Sequence, residues 1–250
     1  MDTRIAMLAF RSSGQIEGMT ARALERVLKT TDAHVTLAIN GGESFAVPAH
    51  ERLNTVYWPK RESLGIAYNL VANATNSRFI CFVHNDCLVP EDDWLPKLTA
   101  VAEQHGFAFP EVVVDWQEAA ERGIGGLGRL ADTLPPSCCY VVSREAWNDL
   151  GGFSDEFEGC HFEDTDLFMR ALRVGYRLAH VPSVTVEHRR GFTRSQTTDE
   201  SNTAFVKNRA IYNTKWTKAD GRVMFPGLWK ESQHGGLMRT ANSVHPEVQG

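Results

Sequence analysis

The chain has 250 residues, with 26 Lys and Arg against 31 Asp and Glu, a formal charge of −5, and 42 % hydrophobic residues. With 23 % charged and 10 % aromatic residues it has the composition of a globular domain, which excludes a disordered tail, a collagen-like rod and a disulfide scaffold. A chain of this length forms one or at most two domains and buries roughly 70–75 % of its unfolded surface.

Apolar runs such as Phe79-Ile80-Cys81-Phe82-Val83 are far shorter than the roughly 20 residues a spanning helix needs. Residues Met1 to Ile5 lack the pattern of a secretory signal, and the five cysteines form no Cys-x-x-Cys pair. A cytoplasmic protein with reduced thiols and no transmembrane segment is expected. From Val186 onward ten Lys and Arg face six Asp and Glu, a balance of +4, which leaves −9 for the first 185 residues. A basic last quarter on an acidic body fits contact with phosphates or an anionic membrane surface, or equally a solvated helix face; the acidic body disfavours nucleic acid.

Ile5 to Phe10 is predicted as a first strand. Ala21, Leu24, Val27 and Leu28 then share one helical face, and Val35 to Ile39 is the next strand before Asn40-Gly41-Gly42. Thr55 to Trp58, a helix from Leu64 to Ala74, and the strand Phe79 to Val83 form a second β-α-β unit. An amphipathic helix carrying Trp94, Leu95, Leu98, Val101 and Ala102 follows. Gly106 to Pro136, with clustered glycines and Pro135-Pro136, is read as an insertion or loop. Cys138 to Ser143 resumes as a strand and Arg144 to Leu150 as a short helix, ending in a turn at Gly151-Gly152-Phe153. A stronger helix starts near Glu163, with Gly175 as its terminating glycine. Two brief strands, Arg177 to Val181 and Val184 to Glu187, end at His188. The alternation specifies an α/β fold with a central, mostly parallel sheet flanked by helices, whose ligand crevice lies at the carboxyl ends of the strands.

Three carboxylates, Glu163, Asp164 and Asp166, crowd the first turn of one helix. Capping and dipole compensation account for acidic residues there. Three exceed what capping needs, and mutual repulsion can raise one into the range of a general base. His84-Asn85-Asp86 ends a buried strand and His188 ends another, so Asp86, His188 and His84 are candidate ligands of Mn2+ or Mg2+. Arg189-Arg190 has the donors to grip a diphosphate, or is a solvated basic pair. Gly123-Ile124-Gly125-Gly126-Leu127-Gly128 matches a dinucleotide fingerprint in letters, but no strand precedes it and no helix opens after it. It is read as a mobile loop. Cys138 and Cys139, in an apolar strand, are read as core packing.

Phe79 to Asp86, Leu150-Gly151-Gly152-Phe153-Ser154-Asp155-Glu156-Phe157, Glu163-Asp164-Thr165-Asp166-Leu167, and Arg173 to Pro182 closing at His188 together resemble the family-2 glycosyltransferases of the GT-A fold. The likeness runs from about Ile5 to Phe192. It implies one GT-A catalytic domain over 1–192: a nucleotide-sugar-binding half at 1–105, an insertion at 106–136 and an acceptor and catalytic half at 137–192, followed by a basic extension at 193–250. It also implies a nucleotide-sugar donor, with UDP favoured, bound near Phe10, Arg11, Asn40 and Arg61, with Asn85 and Gly152 among the substrate contacts. A saccharide or other hydroxyl compound would be the acceptor. By the same likeness Asp164 is the general base of an inverting transfer and Glu163 and Asp166 are its neighbours. The sequence departs from the family's metal-binding Asp-x-Asp: only Asp86 of the His84-Asn85-Asp86 triplet matches. A metal-dependent hydrolase and a non-catalytic sugar- or nucleotide-binding module are the competing readings.

Overall fold

The computed structural model describes residues 2–9, 14–114, 135–189, 198–231 and 237–239. Their strands form one mixed sheet in the order β10-β9-β8-β6-β7-β4-β1-β2-β3, with β5 paired to β8 alone. β1 (Thr3–Ala9), β2 (His34–Asn40), β3 (Leu53–Trp58) and β4 (Phe79–Val83) run parallel to one another. β5 (Cys87–Leu88) pairs antiparallel with β8 (Arg177–His188). β6 (Gly106–Val114) lies parallel to β8 and antiparallel to β7 (Cys139–Ser143), which in turn is antiparallel to β4. β9 (Trp229–Glu231) and β10 (Leu237–Arg239) close the far edge.

Helices cover both faces, which is why β4 is buried along its whole length and reads as an unbroken apolar run. Side chains alternate along β1: Ile5, Met7 and Ala9 point into one core, Ala6 and Leu8 into the other. The first core is covered by α1 (Gly14–Thr30) and α3 (Trp94–His105), the second by α2 (Leu64–Asn73), α4 (Arg144–Leu150) and α5 (Glu163–Arg173). On α1 the buried stripe is Ile16, Met19, Thr20, Ala23, Leu24, Val27 and Leu28, so Ala23 takes the inward place expected of Ala21. α6 (Thr198–Trp216) packs Tyr212 and Trp216 against Phe157 and Met169 in a third cluster. The segment after 192 thus adds a helix and two strands to the same body. None of the described helices is long and apolar enough to cross a membrane.

Two expectations change. Residues 106–114 of the presumed insertion form a central strand, with Phe107, Ala108 and Phe109 fully buried. Gly106 and Pro110 concealed it: Pro110 sits at a register shift against β8, where a missing N–H is tolerated. That same irregularity takes up residues 182–184, so the two brief strands predicted around Pro182 are one strand, β8. The glycine-rich stretch Gly123 to Gly128 lies outside the described residues.

Candidate active site

The sheet's topology brings three separate segments to one place. β4 ends at Val83 and leads into a turn, closed by the Cys87 N–H donating to the His84 carbonyl. Because β7 is antiparallel to β4, its first residues stand beside the carboxyl end of β4. Val83 pairs with Cys139, and the His84 N–H donates to the Cys138 carbonyl at 2.8 Å. β8 arrives with its own carboxyl end, where His188 pairs with Cys87, and the Arg189 N–H donates to the Asp86 carbonyl at 3.0 Å.

Asp86 and His188 meet there, with Oδ1 and Nε2 3.3 Å apart. One ligand atom from each of His84, Asp86 and His188 lies within 4.8 Å of the others. Asp86 is 6 % exposed, and its Oδ1 is buried without a hydrogen-bond partner among the described residues. Burial is the largest influence and would raise the Asp86 carboxyl; His188, His84 and the backbone together outweigh it and leave the group below its usual value. Burial pushes His188 down, but Cys138 and Asp86 outweigh it and hold the imidazole well above its usual value. A buried carboxylate oxygen lacking a donor, beside two imidazoles, is a donor set that a divalent cation satisfies, so the residues fit Mn2+.

Tyr68 on α2 connects this group to the second carboxylate group. Its ring stacks over His84 at 6.3 Å and Phe153 at 6.0 Å, and meets Phe82 edge-on at 4.9 Å. Its hydroxyl is held well above its ordinary pKa by burial first, and then by negative charge on neighbours that include both Asp86 and Glu163. Asp86 and Glu163 are thus both close enough to act on one buried hydroxyl.

Glu163 and Asp164 open α5 and differ in environment. Glu163 is 4 % exposed, Oε2 has no hydrogen-bond partner among the described residues, and burial followed by repulsion from Asp164 pushes its carboxyl well above the ordinary range. The raised carboxyl anticipated from crowding is thus Glu163, and burial is the larger cause. Asp164 is partly exposed and accepts from the Thr165 N–H at 2.6 Å and its hydroxyl at 3.0 Å. Asp166 is fully buried: it accepts from Arg170 Nε at 2.8 Å and Trp216 Nε1 at 2.9 Å, with Lys215 Nζ 3.0 Å away. Sealed in that network, Asp166 cannot meet a substrate; it ties α5 to α6.

Other sequence candidates are likewise committed to the scaffold. Asn40, fully buried, donates to the Glu62 carbonyl and accepts from the Glu62 N–H, both at 2.9 Å, so it fixes the loop carrying Arg61. Asn85, 5 % exposed, donates to Thr20 on α1 at 3.0 Å. Gly152 is buried at φ +75°, and a Cβ there would stand 2.5 Å from Asn69 Oδ1 and 2.9 Å from Trp147. Its role is close packing, with its carbonyl accepting from Arg170. Arg61 and Arg189 are partly buried, and Arg189 Nε is 3.9 Å from Glu187. Phe10, Arg11 and Arg190 lie outside the described residues.

Sequence reasoning missed Asn208. Fully buried on α6, it donates to the carbonyls of Glu158, Cys160 and His161 and accepts from the Glu158 N–H. The loop it holds contains two left-handed non-glycine residues, His161 at φ 85° and Phe162 at φ 68°, immediately before Glu163. Such conformations cost about 1–3 kcal/mol each and persist only when neighbours enforce them. No motif marks this residue, and an asparagine within a polar helix carries no sequence signal of its own.

Residues 40–126 match the model of Glycosyl transferase family 2. No protein of curated function matches the chain. Among solved structures, the chain resembles the crystal structure of GalNAc-T7 with UDP, GalNAc and Mn2+ at a TM-score of 0.65 and 14 % identity, over 87 % of this chain and 48 % of that one. It resembles S. aureus TarS 1–349 in complex with UDP-GlcNAc at 0.57 and 15 %, over 78 % and 61 %. For the mannosyltransferase PcManGT from Pyrobaculum calidifontis in complex with GDP-Man and Mn2+ the values are 0.50 and 15 %, over 78 % and 59 %. The chain thus spans between 48 % and 61 % of the length of these three proteins. The fold is the GT-A fold of these glycosyltransferases, as the sequence motifs implied.

Proposed function

We propose that this protein transfers a sugar from a nucleoside-diphosphate sugar to an acceptor hydroxyl, using a divalent cation at Asp86, His188 and His84. The observation that carries this reading is the pairing of Asp86 with His188, an unsatisfied buried oxygen included, at the carboxyl edge of a GT-A sheet. The match to Glycosyl transferase family 2 over residues 40–126 supports it. The similar structures are described with UDP, UDP-GlcNAc and GDP-Man, so either base fits this likeness; UDP remains the first choice.

Mn2+, or Mg2+ in its stead, would offset the negative charge that develops on the departing diphosphate. Asp86 and His188 would hold it, His188 fixed by the β5–β8 pairing and Asp86 by the Arg189 N–H on its carbonyl. Asp164, partly exposed at the mouth of α5, takes the proton of the acceptor hydroxyl. Glu163 stands beside it, its carboxyl pushed above the ordinary range by burial and by Asp164. Attack from the face opposite the diphosphate in one displacement inverts the anomeric centre. Holding donor and acceptor in line supplies roughly 7–11 kcal/mol of the barrier reduction.

The test is a thermal-shift screen of UDP- and GDP-sugars with and without Mn2+, followed by product analysis with hydroxyl acceptors. A donor is expected to raise the melting temperature only with the cation, and transfer to give an inverted glycoside. Free sugar released with no acceptor product would make the protein a hydrolase. Stabilisation without turnover would make it a binding module.

A further inference from the structure

Two thiols stand against the same imidazole that faces Asp86. Cys87 is fully buried and Cys138 is 3 % exposed; their sulfurs and a ring nitrogen of His188 lie within 4.8 Å of one another. The strand pairing explains the meeting: Cys87 is the register partner of His188, and Cys138 is held beneath the end of β4 by the His84 N–H. Neither thiol is in a disulfide, and the Cys87 thiol donates to the Cys138 carbonyl at 3.3 Å. Buried cysteines commonly serve as small apolar residues, as Cys81 and Cys139 do in this sheet. Cys87 and Cys138 differ in facing an imidazole and adjoining an Asp86 oxygen that lacks a hydrogen bond.

His188 therefore belongs to two donor sets, one of nitrogen and oxygen with His84 and Asp86, one of sulfur with Cys87 and Cys138. Oxygen-rich sets suit Mn2+ and Mg2+, whereas thiolate and imidazole select Zn2+. Zinc bonds of about 2.3 Å to sulfur and about 2.0–2.1 Å to nitrogen bring tetrahedral ligands to roughly 3.3–3.8 Å of each other. That lies inside the 4.8 Å span, so small side-chain adjustments close the set.

We propose that Cys87, Cys138 and His188 form a second, thiol-lined site for Zn2+, its fourth ligand being Asp86 or solvent, and that zinc there withholds His188 from the oxygen-lined site. Binding releases the two thiol protons, and the second imidazole proton wherever His188 carries one, to solvent and involves no redox change. The zinc site stands independently of the transferase reading; only the competition for His188 rests on it.

The test is titration of the reduced, metal-free full chain with Co2+ as a spectroscopic probe, followed by displacement with Zn2+. The wild type should develop thiolate-to-cobalt charge transfer and tetrahedral ligand-field bands that saturate near one equivalent and vanish on adding zinc. Cys87→Ser and Cys138→Ser should each cut the charge-transfer intensity to about half or less and bind zinc at least about 100-fold more weakly, the upper end of what even an outer-shell partner contributes. Cys160→Ser should change nothing, and Asp86→Asn should keep the band. A wild type without thiolate charge transfer, or a band of undiminished intensity in both cysteine variants, overturns the proposal; the wild-type titration decides even where a variant misfolds. Zinc should also suppress Mn2+-dependent stabilisation by UDP in the wild type and not in Cys138→Ser. If cobalt binds through the thiols but UDP with Mn2+ never stabilises the protein, the transferase reading fails and the zinc site remains.

Discussion

Gly152 shows how a motif residue can be legible while its role is not. The Gly-Gly-Phe turn stands out in the sequence, yet the structure fills the space a Cβ would need with Asn69 Oδ1 and Trp147. Asn69 in turn donates to the Phe153 carbonyl and accepts from the Phe153 N–H, both at 2.9 Å. Gly152→Ala combines a left-handed backbone with overpacking and should destabilise the fold by about 1–3 kcal/mol, read as a lower denaturant midpoint. Asn40 and Asn85 make a related point: letters place a residue at a strand end without saying which backbone group or helix its amide engages. Glu163 makes a prediction with a definite sign. Its carboxyl holds its proton more tightly folded than unfolded, so its contribution to stability is full below the unfolded pKa of about 4.3 and is lost as pH rises towards the folded value. Glu163→Gln should therefore match wild-type stability in acid and exceed it increasingly as pH rises, in denaturant melts across pH. Equal slopes for the two proteins would contradict the burial of that charge.

Among elements, α6 is the one whose importance the sequence concealed. Its hydrophobic pattern is weak, and the chain's positive balance after Val186 pointed outward to an anionic partner. In the fold Lys207 pairs with Glu158 at 2.5 Å, Lys215 with Glu156 at 2.6 Å, and Arg222 with Asp220 at 2.6 Å, so part of that charge is answered within the molecule. Asn208 is the residue through which α6 reaches the site. Asn208→Ala removes the amide that these three carbonyls share and releases the strained turn before Glu163, at about 1–3 kcal/mol in all. The expected kinetic outcome is a fall in kcat with the donor KM little changed, because the turn carries Glu163 and Asp164 and not the cation ligands. A proportional rise in KM instead would show that α6 shapes the donor pocket. β6 was hidden for a different reason, since a proline and a leading glycine break a strand's signal even where its neighbours accommodate both.

Over the whole molecule, periodicity alone located the parallel half, because strands buried on both faces read as continuous apolar runs between helical patterns. The right-hand half of the sheet needs antiparallel β7 and the paired ends of β5 and β8, which are long-range and leave no local mark. The meeting of Asp86 with His188 depends on them; spacing could nominate both residues, but only the topology joins them. In the proposed transfer, Asp86 and His188 would hold the cation and diphosphate and Asp164 would take the proton. Calorimetric titration of UDP in the presence of Mn2+, set beside turnover of the donor, tests that division directly in three proteins. The wild type should bind and turn over, Asp164→Asn should bind with near wild-type affinity and lose turnover, and Asp86→Asn should lose the Mn2+-dependent binding itself. UDP binding that is indifferent to Mn2+ and unchanged in Asp86→Asn would contradict it.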